Sequence, residues 1–146
     1  MIDSFDGEYE FLSNFYPALA SYRGFVFRSS EAAYQFAKVR DENITQEIVS
    51  QFVNATPAEA KKLGRRVDAR PDWDIIKLSI MEQVLRSKFN NEILKEKLLE
   101  TDGEELIEGN WWGDTFWGVC KGKGQNHLGK LLMTLRNEYK LERAFE

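Results

Sequence analysis

Between Ser29 and Tyr139 the apolar residues recur at helical spacing in one short segment after another, which leaves room for only scraps of sheet. Thr56-Pro57-Ala58-Glu59 marks the sharpest boundary. A threonine with a glutamate three positions on has the spacing of a capping box, and proline at the first helical position gives up no hydrogen bond. The helix it opens is expected to stop at Gly64, where glycine can turn left-handed. Upstream, Ser29 or Ser30 can cap a helix to about Arg40 that buries Ala33, Phe36, Ala37 and Tyr34. A further helix at about 43 to 53 follows from Ile44, Ile48, Val49 and Phe52. Beyond the basic turn GRRVDARP, a long helix over about 72 to 89 carries Ile76, Ile80 and Val84 beside Met81, Leu85 and Phe89. Asn90 or Asn91 begins another, through Ile93, Leu94 and Leu98, which ends near Thr101-Asp102-Gly103. Leu106 to Glu108 reads as a short strand, and the last helix carries Leu128, Leu131, Leu132, Leu135 and Tyr139.

The aromatic, turn-rich start differs. Leu19 to Tyr22 and Phe25 to Arg28 are β-prone and joined through Arg23-Gly24, so a short hairpin is expected. The fold class predicted is α+β, a mainly helical single domain over residues 1–146 with one or two small antiparallel β pieces. A chain of 146 residues can bury roughly two thirds of its unfolded surface, and neither a repeat nor a linker divides it.

Composition removes several chemistries. No apolar run reaches the ~18 residues of a membrane span, and MIDSFDGEYEF has neither the basic nor the apolar region of a signal peptide, so a cytoplasmic protein without membrane contact is expected. Cys120 and His127 are the only residues of their types, so a zinc site or a Cys-His nucleophile could be built only around that pair. Acid–base work near neutral pH falls to carboxylates. A net charge of −4 argues against non-specific duplex binding, while a local basic patch can still hold phosphates.

Three segments could carry chemistry, and each has a plainer reading. Glu31, Gln35 and Lys38 fall at i, i+4 and i+7 with Tyr34 beside them, a face mixing acid, amide and ammonium; equally, this is a solvated stripe with Glu31 at the positive end of a helix. Trp111, Trp112, Phe116 and Trp117 crowd seven positions interrupted by Gly113, Asp114 and Gly118. Such rings can stack on a base or ribose, or plug the space beneath an irregular loop, and Asp114 is first of all a turn former. Lys121-Gly122-Lys123-Gly124-Gln125-Asn126 places two ammonium groups and permissive glycines before a helix N-terminus, a phosphate cradle of low specificity. Gly124 to Lys130 fits G-x-x-x-x-G-K, but Leu131 stands where a P-loop needs Ser or Thr and no apolar strand precedes it, which rules against an NTPase. Arg65, Arg66 and Arg70 read as a solvated basic turn.

Taken in order along the chain, these pieces resemble the NADAR or YbiA-like family over nearly its full length. The resemblance is carried by Phe11-Leu12-Ser13-Asn14-Phe15, Ser30-Glu31 with Tyr34-Gln35 and Lys38, Ala60 to Arg66, and Trp73 with Lys77. It continues through Met81, Leu85, Lys88-Phe89, Trp112-Gly113-Asp114, Gly122 to Gly129, Leu131-Leu132-Met133 and Arg136. The resemblance implies an N-glycosidase without metal or cofactor that hydrolyses the C1′–N bond of a ribosylated base. A ribosylamino-pyrimidine 5′-phosphate of riboflavin biosynthesis is the first substrate it implies, and ADP-ribose on guanine in nucleic acid the second. The partner is then a phosphorylated riboside or ADP-ribosyl group. It further implies Glu31 and Asp114 as an acidic pair and Trp112 and Trp73 as ring contacts, with Asn14, Tyr34, Gln35, Lys77 and Asn126 as further binding residues. The second Trp-Gly, Trp117-Gly118, makes this loop bulkier than the family pattern.

In that scheme one carboxylate steadies an oxocarbenium-like transition state and the other positions water, while Lys121, Lys123 and the backbone near Gly124 hold a phosphate. The competing class is a module that binds ADP-ribose or a nucleotide without turnover. Paired carboxylates discriminate against it, since a passive anion binder has little use for them.

Overall fold

Arg23 and Gly24 stand at φ 53° and 84°, the backbone of a two-residue turn whose twist suits a hairpin. They join β1 (Ala20–Tyr22) to β2 (Phe25–Phe27), antiparallel with Ser21 opposite Val26. The computed structural model describes residues 1–146 and separates into two units: an inner one, Asn14–Lys88, which this hairpin opens, and a terminal one made of Met1–Ser13 with Phe89–Glu146.

In the inner unit, α1 (Ser30–Phe36) begins where Ser29 Oγ accepts the Ala32 N–H at 3.1 Å. Then follow α2 (Gln46–Val53), capped by Thr45, and α3 (Pro57–Arg66), whose capping box is complete, with Thr56 and Glu59 bonded reciprocally at 3.2 and 2.9 Å. The last element is α4 (Trp73–Lys88). Phe27 and Phe52 pack on Phe36 with ring centres 5.2 and 5.8 Å away, so the hairpin and α2 share one aromatic core with α1. Lys88 is fully buried at the end of α4, its Nζ 5.8 Å over the Tyr16 ring, and burial pushes its ammonium down to about 7.

Three expectations change here. α1 ends at Phe36 rather than near Arg40, because Val39 pairs with Ala69 and the Lys38 carbonyl accepts the Arg70 N–H at 2.9 Å; tertiary pairing takes the groups another helical turn would use. Ile44 lies outside α2, which a 3-10 turn at Asp41–Asn43 precedes. Gly64 does not stop α3. It is buried inside the helix, where a methyl group would overlap the Gln35 carboxamide, so this glycine marks where α3 presses against α1.

The terminal unit has a 3-10 turn at Gly7–Leu12, then α5 (Glu92–Glu100), capped by Asn91, which accepts from Ile93 and Leu94. β3 (Gly109–Asn110) and β4 (Val119–Cys120) follow, and α6 (His127–Ala144) ends it. Buried Arg136 of α6 donates to the Thr101 carbonyl and hydroxyl at 2.9 and 3.0 Å, tying α6 to the end of α5. The strand expected at 106 to 108 is displaced. Leu106 bridges to Ile2, pairing proper starts at Gly109, and β3 runs parallel to β4, so only the β1–β2 pair is antiparallel. No helix is long and apolar enough to cross a membrane.

Candidate functional site

Within the inner unit the structure brings Asn14, Glu31, Tyr34, Gln35, Trp73 and Lys77 into one neighbourhood. α1 is buried on every side, so the Glu31-Gln35-Lys38 face is not the solvated stripe that its polarity also allowed: Glu31 is 8% exposed and Gln35 6%. Gln35 Nε2 donates to Glu31 Oε1 at 2.9 Å, holding the carboxylate from one turn further along the helix. The Gln35 Oε1 lies against Gly64 without a hydrogen-bond partner, so the amide cannot swing away from Glu31 without moving α3. Asn14 is buried beneath the start of α1, where its carbonyl accepts the Glu31 N–H at 3.1 Å and its Oδ1 accepts the Ser30 hydroxyl at 2.7 Å.

Trp73, 9% exposed, packs on Tyr34 with ring centres 5.1 Å apart, and Lys38 Nζ sits 5.9 Å over it. The Lys38 ammonium is held below the ordinary lysine range, first by its own burial and then by Arg65, Lys77 and Lys61, while Glu31 pulls the other way. Lys77 pairs with Asp74 at 3.3 Å, one helical turn beyond Trp73. Lys38 therefore stands between one buried carboxylate, Glu31, and three further cations. Lys61 was not singled out in the sequence and Arg65 was read only as part of a solvated turn; their i, i+4 spacing around Gly64 is the signal that could have joined them to Lys38.

The terminal unit carries Trp112, Asp114, Lys121, Lys123, Gly124 and Asn126 in its loop. Trp111 and Trp112, 85% and 51% exposed, meet edge to face at 5.6 Å and with Thr115, Cys120, Lys121 and Lys123 line an open cavity of about 610 Å³. These two rings are available to a ligand. Trp117 and Phe116, both part-exposed, pack on each other at 4.8 Å and on His127 at 6.4 and 4.6 Å, which ties these rings to the start of α6. Asp114 Oδ1 accepts the N–H groups of Phe116 and Trp117 at 3.1 and 2.9 Å, while the Asn110 side chain clamps the Asp114 backbone at 3.0 and 2.8 Å. One carboxylate oxygen of Asp114 is thus committed to shaping the loop.

The backbone just before and at the start of α6 is committed to the loop. The N–H groups of Gln125, Asn126, His127 and Leu128 donate to the carbonyls of Thr115, Gly118, Phe116 and Trp117 at 2.8 to 3.2 Å, so these four amides are spent on the tryptophan loop. Gly124, at φ 151°, closes on the Gly118 backbone, where a side chain would collide. Asn126 is buried, its Oδ1 accepting the Glu108 N–H and its Nδ2 donating to the Leu106 carbonyl, both at 2.9 Å. The two ammonium groups of the expected cradle, Lys121 and Lys123, are both exposed.

Residues 3–140 match the NADAR domain model. The chain is 37% identical to an N-glycosidase of Nostoc punctiforme over 134 residues, which is 89% of this chain and 85% of that protein. It is 33% identical to N-glycosidase YbiA of Escherichia coli over 140 residues, 93% of this chain and 85% of that one. A riboflavin biosynthesis protein of Vibrio vulnificus is 38% identical over 137 residues, 91% of this chain but 36% of that longer protein. The solution structure of Escherichia coli YbiA superposes with a TM-score of 0.82 at 28% identity, covering 100% of this chain and 90% of that one.

Proposed function

Because the chain belongs to the NADAR domain family, we propose that it hydrolyses the C1′–N bond of a ribosylamino-pyrimidine 5′-phosphate of the riboflavin pathway. It is an N-glycosidase, a hydrolase acting on N-glycosyl compounds, like relatives that match it over most of its length. Residues 1–146 are taken as one functional domain, since the family model spans both units.

The observation that carries this reading is Glu31, a buried carboxylate held by Gln35 on a capped helix, with the half-buried Lys38 ammonium in its field. C1′–N cleavage builds positive charge on the sugar, and a preorganised, desolvated carboxylate is worth most where such charge develops. Glu31 is the reacting carboxylate, steadying the oxocarbenium-like sugar or polarising the attacking water. Lys38 faces it electrostatically and stacks over Trp73, which packs on Tyr34, and Asn14 fixes the start of its helix. The acidic pair is unequal, because Asp114 spends Oδ1 on its own loop and acts by holding Trp112 and the cavity beside it in shape. Trp112 offers a face to a base or sugar ring.

The test is incubation of the intact protein with a ribosylamino-pyrimidine 5′-phosphate and, separately, with an oligonucleotide bearing ADP-ribosylated guanine, with mass detection of the products. Free pyrimidine with ribose 5-phosphate is the expected result. Release of ADP-ribose alone would move the substrate to modified guanine, and no product from either would leave a binding module.

A further inference from the structure

We infer that Lys61 and Arg65 of α3, together with Lys38 and Lys77, form the pole that receives the substrate's phosphate dianion. The inference rests on the phosphorylated-riboside reading above and assigns where its charged end sits. Gly64 presses α3 onto α1 at Gln35, and Lys61 and Arg65 lie three positions before and one after it, so both leave the helix beside this crossing. Lys61 is half-buried with Nζ 5.8 Å over the Phe15 ring, Lys38 is half-buried over Trp73, and the Lys77 side chain is 23% exposed.

Lys38 is where the four cations meet: its ammonium is lowered first by its own burial and then by repulsion from Arg65, Lys77 and Lys61, while Glu31 raises it. A ligand with two negative charges relieves that repulsion and leaves the carboxylate beside the sugar. Lys121 and Lys123 compete poorly. Both are exposed to solvent and screened by salt, whereas three of the four cations of the pole, Lys38, Lys61 and Lys77, are part-buried and only Arg65 is exposed.

The experiment titrates ribose 5-phosphate, with ribose as the uncharged comparison, into the intact protein and into Lys61→Gln, Arg65→Gln and Arg66→Gln, following bound ligand by NMR. Lys61→Gln and Arg65→Gln are expected to weaken ribose 5-phosphate about tenfold each, the scale of one charge-assisted contact. Arg66→Gln, one exposed position further on, should change it little. In the intact protein, saturation with ribose 5-phosphate should raise the Lys38 titration, read from its ζ-nitrogen shift. Unchanged affinity in both α3 variants, or equal loss for ribose and ribose 5-phosphate, would overturn the assignment. Hydrolysis is scored separately: loss of ribose 5-phosphate binding in a protein that cleaves no riboside supports the pole and sinks the N-glycosidase reading, whereas turnover with full phosphate preference in both variants does the reverse.

Discussion

Glu31 and Asp114 are the two carboxylates that the family resemblance pairs, yet the chain treats them differently. Glu31 sits on a capped, buried helix, braced by Gln35, which is itself wedged against Gly64. Asp114 sits in a loop that satisfies its own backbone, and its carboxylate is one of the groups doing so. The rings follow the same division, Trp73 buried against Tyr34 and Trp112 half-exposed over an open cavity. Fixed charge is placed where helices can hold it, and exposed aromatic area where a loop can present it.

The tryptophans offer the largest break in this comparison. Trp73→Ala is expected to cost about 3 to 5 kcal/mol of stability, the usual range for truncating a buried Trp. Trp112→Ala should leave the melting temperature nearly unchanged and instead weaken a bound nucleotide product by about 1 to 3 kcal/mol, the scale of a base stacked on a ring. Calorimetric melting and product titration on both variants separate the roles, and a large melting shift for Trp112→Ala would make it a structural plug.

Gly64→Ala probes the brace. The added methyl overlaps Gln35, so a loss of about 1 to 3 kcal/mol in denaturant unfolding is expected, as for overpacking elsewhere, with reduced turnover because Gln35 is displaced from Glu31. Full activity in the variant would show that the Gln35 contact does not position Glu31.

Much of this architecture is legible in the chain. The Thr56–Glu59 capping box, the Arg23-Gly24 turn and the Asn91 cap are local rules read locally, and each formed as expected. The Glu31 face was visible as a spacing, but its burial was not, since helical period does not say which polar face a neighbour will cover. Gly64 was misread as a stop because its reason lies on another helix, 29 positions earlier at Gln35. The segment before α6 has the same limit: glycines and a helix start show that amides exist there, not that Thr115 to Gly118 take those of Gln125 to Leu128.

Lys88 gives a smaller effect. Its ammonium titrates near 7 when folded against the ordinary 10.5, so between those values the native state binds fewer protons than the unfolded chain and stability rises with pH. Lys88→Met should flatten that rise across pH 7 to 10 in thermal melts. An identical pH slope in variant and parent would mean that Lys88 is not desolvated.

The most direct test of the account compares turnover of Glu31→Gln and Asp114→Asn on the same ribosylamino-pyrimidine 5′-phosphate, with folding checked by circular dichroism. Glu31→Gln should lose at least about a hundredfold, the scale of a positioned acid–base group, while Asp114→Asn, whose side-chain oxygen can still accept the Phe116 and Trp117 N–H groups, should stay within about tenfold of the parent. Near-parental turnover in folded Glu31→Gln, with collapse in Asp114→Asn, would contradict the assignment of Glu31 as the reacting carboxylate.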